Sequence, residues 1–329
     1  MENKKISWYI EEFMIYCRSK DLRPKTMASY EQALRLFERW LREEQHIDDV
    51  SKISESIIRR YIISIKDRGK YTFYSDEKQM KTNKPDRRRD YRNKVSDGTI
   101  NNYLRNIRVF LNWLDESYIL SKNPMQNIKP LRTTRKSKDF INDEDFIKLV
   151  GLLDKSYFSE YRDFIMINLM LDTGMRLGEC TTLLLDDLDV SHRVIHLRED
   201  ETKGRKDRVV FFSEKTERML RRWIQYKDRY VETPYLFPIK SNGGHVSVGT
   251  FETNFKHYLR RAGLSENISP HCLRNNFAKR CLMNGMDIYT LSRILGHSSV
   301  EVTENAYLDL TEEDIGRQFE KFSPLATIR

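Results

Sequence analysis

Six residues in the second half of the chain carry side chains that could bind a phosphodiester and attack it. They are three cations, two imidazoles and one phenol, namely Arg176, Lys203, His271, Arg274, His297 and Tyr307. Cationic groups can stabilise the charge that develops on phosphate oxygens, and a phenol can act as a covalent nucleophile once it is activated. This chemistry needs no metal ion. The set therefore suggests DNA strand exchange, provided that the fold gathers residues that are far apart in sequence.

The motif LDTGMRLGEC indicates how an arginine is presented to an anion. Gly174 permits the turn that ends one helix, and Arg176 then opens the next. A helix N-terminus has free N–H groups and the positive end of the dipole, so it favours an anion. Glu179, one turn later, is predicted to support Arg176 by a fork-like contact. Taken alone, the motif would equally suit a surface ion pair.

The motif SPHCLRNNFAKR pairs an imidazole with a second guanidinium. Ser269 is a natural N-cap and Pro270 a natural first helical residue. His271 and Arg274 then lie three residues apart on one face of the first turns, where both could contact the same phosphate. A structural histidine beside a surface arginine is the alternative interpretation.

The segment DIYTLSRILGHSSVEVTENAYLDL is predicted to contain two short helices. Asp287 caps the first helix and Gly296 ends it, which places His297 on a turn. The SSVE pattern that follows matches a capping box and starts the helix that carries Tyr307. An isolated tyrosine on a short helix usually packs against a core. The position of Tyr307 after two phosphate-binding motifs favours a chemical role instead.

Positive charge is concentrated in the first part of the chain. The net charge is +9, with +11 on residues 1–139 and −2 on residues 140–329. This distribution predicts a polyanionic partner for the first part, although a merely solvated lysine-rich surface would give the same composition.

The spacing of the cysteines and the N-terminal sequence limit the classes of protein to which this chain could belong. The four cysteines form no CxxC pair, so neither a disulfide framework nor a metal site is expected. No apolar run approaches membrane-spanning length, and the opening MENKKISWYIEEF has acidic residues where a signal peptide would be apolar. We therefore expect a mature cytoplasmic chain.

Apolar periodicity divides the chain into two groups of elements. The first group is helical, and the second adds two strands joined by the polar turn EDETKGRKD, which contains Lys203. The predicted helices are 5–20, 24–44, 52–67, 99–118, 143–154, 158–171, 214–230, 250–262, 270–284, 287–295 and 299–308, and the predicted strands are 194–198 and 208–212.

Two basic segments interrupt this pattern. Residues 68–98 are too polar to form a core and are predicted to be a loop or arm, either inert or ordered by nucleic acid. Residues 122–139, with two prolines and no helical periodicity, are predicted to be a basic interdomain linker. The candidate DNA-binding residues in these segments are Lys78, Lys81, Lys84, Arg87, Arg88, Arg89, Arg92, Lys94, Arg132, Arg135, Lys136 and Lys138.

The motifs and their order resemble the tyrosine recombinase, or phage integrase, family. The resemblance lies in an arginine after a glycine turn, a lysine on a hairpin, H-x-x-R, L-G-H and a following tyrosine. It implies that the two arginines hold the scissile phosphate while Tyr307 attacks it, giving a 3′-phosphotyrosine and a free 5′-hydroxyl. Lys203 would protonate the departing oxygen, His271 would assist proton transfer from the phenol, and His297 would hydrogen-bond the phosphate.

One feature departs from the family pattern, and another leaves the identity of the catalytic lysine undecided. Tyr307 lies ten residues after His297, whereas the commoner spacing is nine, so the helix carrying it could be extended or rotated. Lys203 shares its turn with Arg205 and Lys206, either of which could replace it.

The resemblance also implies an architecture. A mainly α fold with a small antiparallel β-sheet would form a two-domain clamp around DNA. The domains would be a helical, SAM-like core-binding domain at 1–121, the linker at 122–139, a catalytic domain at 140–310, and a C-terminal helix and tail at 311–329 that docks on its own domain or in trans.

The implied activity is site-specific recombination that integrates, excises or transposes a mobile element. Double-stranded DNA is the expected partner, in a homotetramer and with a directionality factor as an optional further partner. No metal, ATP or other cofactor is implied. A non-cleaving DNA-binding protein of the same fold and a type IB topoisomerase remain the alternatives.

Overall fold

The computed structural model describes residues 5–74, 84–133, 140–198, 207–297 and 299–307, together with residues 316 and 319. The chain divides into two compact units, Met1–Arg135 and Lys136–Arg329, here called the first and second units. The fold is mainly helical with one small antiparallel sheet, as the sequence predicts.

The first unit is built from amphipathic helices around an aromatic core. Its helices are α1 (Ile6–Ser19), α2 (Pro24–Glu44), α3 (Glu55–Arg68) and α4 (Asp97–Glu116). Pro24 lies at the start of α2, and the hydroxyl of Ser96 caps α4 by accepting from the Thr99 N–H at 3.2 Å. The rings of Trp40 and Tyr61 lie 5.0 Å apart in the core, so α2 and α3 are joined by aromatic packing.

The segment after α4 is packed rather than extended. Met125 and Ile128 are buried in the core of the first unit. Arg108 donates to the Ile128 carbonyl, and Asn101 exchanges two hydrogen bonds with the backbone of Leu131. Residues 122–131, which the sequence analysis assigned to a linker, are therefore part of the first unit, because their apolar side chains find a core without helical spacing.

The basic insertion is anchored to the first unit at both ends. It lies between α3 and α4, and the Lys70 N–H donates to the Asn93 carbonyl at 2.8 Å. Pro85, within the insertion, is buried. The Phe73 ring lies 4.2 Å from the Arg68 guanidinium carbon, a cation–π contact. The described parts of the insertion are thus held by a few apolar and aromatic contacts within a polar sequence.

In the second unit, helices pack around a central helix, α6. Its helices are α5 (Asp143–Gly151), α6 (Phe158–Thr173), α7 (Leu177–Thr182), α8 (Glu214–Lys227), α9 (Val248–Arg261), α10 (His271–Met283), α11 (Ile288–Leu295) and α12 (Val300–Tyr307). Helices α8 and α10 both pack on α6. The buried residues of α6 cover more than half of its circumference, and from Glu160 onward its other positions are half-buried, which marks it as the central helix of the unit.

The sheet has strand order β1-β2-β3 and is antiparallel throughout. The strands are β1 (Leu188–Asp189), β2 (Val194–Leu197) and β3 (Arg208–Phe211). Ile195 pairs with Val210, and both side chains are buried. The sequence pattern does not predict β1, because two residues are too few to show alternation.

A buried polar network ties α6 to α9. The Asp163 carboxylate is fully buried and accepts from Arg162 at 2.9 Å, Asn254 at 2.8 Å and the Tyr258 hydroxyl at 2.9 Å. Burial and the neighbouring Asp163 charge raise the pKa of Tyr258, so the phenol remains a donor. Arg162 also donates to the Pro238 carbonyl at 3.1 Å. Each of these groups depends on the others for its hydrogen bonds.

We predict that Asp163→Ala lowers the free energy of unfolding by roughly 3–5 kcal/mol, because the Arg162 guanidinium would remain buried without its counter-charge. Urea unfolding followed by circular dichroism measures the change. Glu266→Ala, which removes the carboxylate of an exposed ion pair with Arg260, is the matched control and should barely move the midpoint. Equal effects of the two substitutions would contradict a structural role for the network.

Candidate active site

Arg176 is positioned by the glycine turn that joins α6 to α7. Gly174 has φ 66°, in the left-handed region, and its N–H donates to the Met170 carbonyl at 3.0 Å. A Cβ at Gly174 would lie 2.3 Å from the Phe277 ring, so a side chain there would clash. Arg176 follows as the N-cap residue of α7, at the helix start that the sequence predicts.

The Glu179 carboxylate accepts hydrogen bonds from both the backbone and the side chain of Arg176. The Arg176 N–H donates to Glu179 Oε2 and the guanidinium Nη1 donates to Oε1, each at 2.7 Å. The Glu179 side chain is 1% exposed and that of Arg176 is 23% exposed. The guanidinium is therefore held from inside while part of it remains accessible to a ligand.

Arg208 is a further candidate site residue that is not among those predicted from the sequence motifs. It lies at the start of β3 and donates to both carboxylate oxygens of Glu179, at 2.8 and 2.5 Å. Its side chain is only 8% exposed. Strand alternation carries the signal that could have found it, since Arg208 shares the inward face of β3 with the buried Val210.

Two arginines together keep Glu179 ionised. Burial by itself would raise the pKa of this carboxyl, but the hydrogen bonds and charges of Arg208 and Arg176 outweigh that effect. The pKa of Glu179 therefore lies below its usual value. The carboxylate remains a fixed negative anchor for both guanidinium groups.

Three guanidinium groups converge on the carbonyls at the C-terminal end of α11. The bonds run from Arg208 Nε to the Ile294 oxygen at 3.1 Å, from Arg274 Nη2 to the Leu295 oxygen at 2.6 Å, and from Arg176 Nη2 to the Gly296 oxygen at 3.0 Å. The last carbonyls of a helix lack intrahelical partners and carry the negative end of the dipole. This helix end thus gathers the arginine cluster, defined here as Arg176, Arg208 and Arg274.

Gly296 permits this close approach. It ends α11 with φ 64°, and a Cβ there would lie 2.7 Å from Arg208 Cδ and 2.9 Å from Arg208 Nε. Both the backbone conformation and the space beside it therefore require glycine. The following residue, His297, is placed on the turn, as the sequence predicts.

Arg274 is the most deeply buried member of the cluster, at 2% exposure. Its Nη1 donates to the Gly174 carbonyl at 2.7 Å, which joins the two glycine turns of the site. His271, the first residue of α10, is exposed. The helix begins one residue later than predicted, with Pro270 instead of Ser269 at the N-cap, because the turn before it is closed by the backbone bond from the Cys272 N–H to the Ser269 carbonyl.

His297 links Arg274 to the helix that ends at Tyr307. Its Nε2 lies 3.0 Å from Arg274 Nη2, and its Nδ1 lies 2.7 Å from the Thr303 hydroxyl oxygen. Thr303 is fully buried on α12, four positions before the end of that helix. Thr303 is not among the predicted site residues, although its four-residue offset from Tyr307 would place both positions on one helix face.

Some predicted site residues lie outside the described residues. Lys203 falls in 199–206, and only the backbone of Tyr307 is described. Of the candidate DNA-binding residues, Lys84, Arg87, Arg88, Arg89, Arg92, Lys94 and Arg132 are exposed on the first unit, and Lys78, Lys81, Arg135, Lys136 and Lys138 are not described. The Arg88 guanidinium carbon lies 4.4 Å from the Tyr71 ring.

The arrangement suits an anion with several oxygens. The site holds three guanidinium groups and one carboxylate, which leaves an excess of positive charge at the start of α7 and beside α10. Guanidinium groups that are already held in place stabilise developing negative charge without reorganising. Among the described residues, no cluster of His, Cys, Asp or Glu could hold a metal ion, and no helix is long and apolar enough to cross a membrane.

The first unit is helical, and the second gathers three arginines and His297 at a glycine-ended helix, an arrangement that suits the binding of a phosphodiester. The phage integrase family matches residues 140–314, and the N-terminal SAM-like domain of phage integrases matches residues 10–75. The chain belongs to the phage integrase family. It is a tyrosine recombinase, a DNA strand-exchange enzyme.

Two relatives match about two thirds and nearly all of the chain. A tyrosine recombinase XerC of Oceanobacillus iheyensis is 25% identical over 325 residues, covering 97% of this chain and 96% of the relative. A tyrosine recombinase of Thermosipho africanus is 29% identical over 216 residues, covering 66% of this chain and 73% of the relative.

Solved structures share the fold. The Tn1549 transposon integrase in complex with transposon right end DNA aligns with a TM-score of 0.73 at 18% identity, covering 97% of this chain and 99% of that one. The XerH site-specific recombinase bound to a palindromic difH substrate aligns with a TM-score of 0.67 at 20% identity, covering 96% and 84%.

The Glu179 carboxylate gives the second unit a pH-dependent stability. Because its folded-state pKa is depressed, its contribution is present above the unfolded pKa of about 4.3 and is lost as the pH falls through the folded value. We predict that Glu179→Gln lowers the free energy of unfolding by about 3 kcal/mol at pH 7, and that the gap from wild type narrows below about pH 4.

Urea unfolding of both proteins between pH 7 and pH 3 tests this prediction. Glu214→Gln, which removes the charge of an exposed i,i+4 pair with Arg218, is the control and should show a small gap throughout. A wild-type advantage over Glu179→Gln that is constant with pH would show that the carboxylate charge does not anchor the cluster.

Proposed function

We propose that this recombinase integrates, excises or transposes a mobile element, and that it cleaves DNA through a 3′-phosphotyrosine at Tyr307. The observation that carries the catalytic part is the convergence of the arginine cluster on the end of α11, with two of its members also bonded to Glu179. In this proposal Arg176 and Arg274 bind the non-bridging oxygens of the scissile phosphate. Losing one such stabilising donor typically costs about 10²–10³ in rate.

The proposed cleavage step is balanced without a cofactor. The Tyr307 oxygen forms a bond to phosphorus as the bond from phosphorus to the 5′-oxygen breaks. His271 assists removal of the phenol proton, and Lys203 gives a proton to the departing 5′-oxygen. Because the phosphotyrosine retains the energy of the ester, the 5′-hydroxyl of a second strand can reverse the step and complete the exchange.

DNA is proposed to contact both units within a homotetramer. The exposed basic residues of the insertion between α3 and α4 supply phosphate contacts in the first unit, and the arginine cluster supplies them in the second. The tail at 311–329 is proposed to dock on its own unit or in trans. The domain limits 1–121, 122–139 and 140–310 remain proposals, and within 122–139 the residues Met125, Ile128 and Leu131 pack in the core of the first unit.

Two roles in the cell are supported by different likenesses. The likeness in fold to the Tn1549 transposon integrase over 97% of the chain supports movement of a mobile element. The full-length match to a XerC recombinase instead supports resolution of chromosome dimers as the second candidate. Sequencing the DNA recovered with covalently trapped enzyme separates them, because paired element ends support the first role and a single chromosomal site supports the second.

We predict that a nicked duplex carrying the recovered site traps a covalent protein–DNA adduct, because the cut strand diffuses away before it can be rejoined. Denaturing electrophoresis detects the adduct. Tyr307→Phe should abolish it, whereas Tyr289→Phe, an exposed tyrosine on α11, should not. An adduct that persists in Tyr307→Phe would contradict the assignment of Tyr307 as the nucleophile.

The same assay addresses the alternatives. Binding without any adduct in the wild type would favour a non-cleaving DNA-binding protein. Relaxation of supercoiled DNA without joining of two sites would favour a type IB topoisomerase.

We also predict that replacing Arg87 and Arg89 by glutamine weakens DNA binding and flattens its salt dependence. Every phosphate that is no longer neutralised should reduce the slope of log affinity against log salt by about 0.9. Arg218→Gln with Arg221→Gln removes the same charge from exposed ion pairs on α8 and is the matched control. If fluorescence anisotropy gives the same affinity and slope for both double variants, the insertion makes no phosphate contacts.

A further inference from the structure

The contact between His297 and Arg274 determines which ring nitrogen of His297 carries the proton, and Thr303 lies against that nitrogen. Arg274 Nη2 lies 3.0 Å from His297 Nε2, and a guanidinium nitrogen can only donate. Nε2 is therefore the acceptor and has no proton. In the neutral ring the proton then resides on Nδ1, which donates to the Thr303 hydroxyl oxygen at 2.7 Å.

The contact between Thr303 and His297 limits the rotation of α12 about its own axis. Thr303 is fully buried, and its hydroxyl is bonded to a ring that is itself held by Arg274. Position 307 follows Thr303 by four residues, which in an α-helix is a displacement of about 6 Å along the axis and about 40° around it. Rotation of the helix about its axis would therefore break the contact between Thr303 and His297 and at the same time move position 307.

The helical angle between positions 303 and 307 accommodates the unusual ten-residue spacing between His297 and Tyr307. Position 306, which would give the nine-residue spacing from His297, lies about 60° around the helix axis from Thr303. Position 307 lies about 40° from Thr303 in the other direction around the axis. The ten-residue spacing thus brings the tyrosine position closer to the helix face that Thr303 defines.

We propose that Thr303 is a positioning residue for strand cleavage: it accepts a hydrogen bond from Nδ1 of His297, which orients the ring, and it holds α12 in the rotation that presents position 307. The inference rests on the proposed phosphotyrosine mechanism. Thr303 acts through His297 and the helix and need not touch DNA. If the ring takes up a second proton at Nε2 in order to donate to a phosphate, Thr303 still accepts from Nδ1.

Substitutions that separate the hydroxyl from the shape of the side chain test this role. Thr303→Val retains the branched shape and removes the hydroxyl, whereas Thr303→Ser retains the hydroxyl. Thr290→Val, at an exposed threonine on α11, is the matched control. The rate constant of adduct formation is measured in a single turnover on saturating nicked duplex, alongside DNA affinity and the melting temperature of the full chain.

Thr303→Val should slow adduct formation roughly tenfold or more while DNA affinity stays within about twofold of wild type. Thr303→Ser should recover most of the rate, and Thr290→Val should match wild type. A wild-type rate in Thr303→Val, or a Thr303→Ser variant as slow as Thr303→Val, would overturn the proposal. A purely structural role would instead lower affinity and melting temperature in proportion to the rate.

A second measurement does not depend on activity or on the stability of a variant. Nitrogen NMR of histidine-labelled wild-type protein, with His297 assigned by comparison with His297→Gln, should show the proton on Nδ1. A proton on Nε2 alone would overturn the proposal. If wild type forms adduct normally and Thr303→Val does too, only the Thr303 inference fails. If wild type forms no adduct, or Tyr307→Phe retains it, the proposed mechanism fails instead.

Discussion

A carboxylate buried as deeply as Glu179 must be matched by positive charge, and the arrangement of the site follows from that requirement. Removing an ion from water costs several kcal/mol unless its partners replace the lost hydration. Glu179 receives three side-chain donors from two guanidinium groups and a fourth donor from the Arg176 backbone. One carboxylate thereby joins the start of α7 to the start of β3, two elements that are distant in sequence.

The end of α11 supplies the second set of acceptors. Its last carbonyls are unsatisfied within the helix and accept one guanidinium donor each from Arg176, Arg208 and Arg274. Because these acceptors are neutral, they orient the arginines without cancelling their charge. The cluster keeps a positive excess that a phosphate can use, and its groups need little rearrangement when the phosphate arrives.

Two glycines make this packing physically attainable. A side chain at Gly174 would meet Phe277, and one at Gly296 would meet Arg208, at distances that are far too short. Both residues also adopt the left-handed conformation that ends a helix. The turns therefore serve two purposes, since they stop α6 and α11 and they leave room for the arginines that pack across them.

Local sequence was sufficient for the features that depend on residues within one turn of each other. The order of the motifs, the glycine turns, the helices and the pairing of Arg176 with Glu179 were all predictable, since these contacts span three or four positions. The partners of Arg208 and Thr303 and the packing of residues 122–131 emerged only from the tertiary structure. Arg208 meets Glu179 across 29 positions and Ile294 across 86, and the Arg176 bond to Gly296 spans 120. A side chain at such a distance acquires its partner from the packing of whole helices and strands, which no short sequence window specifies.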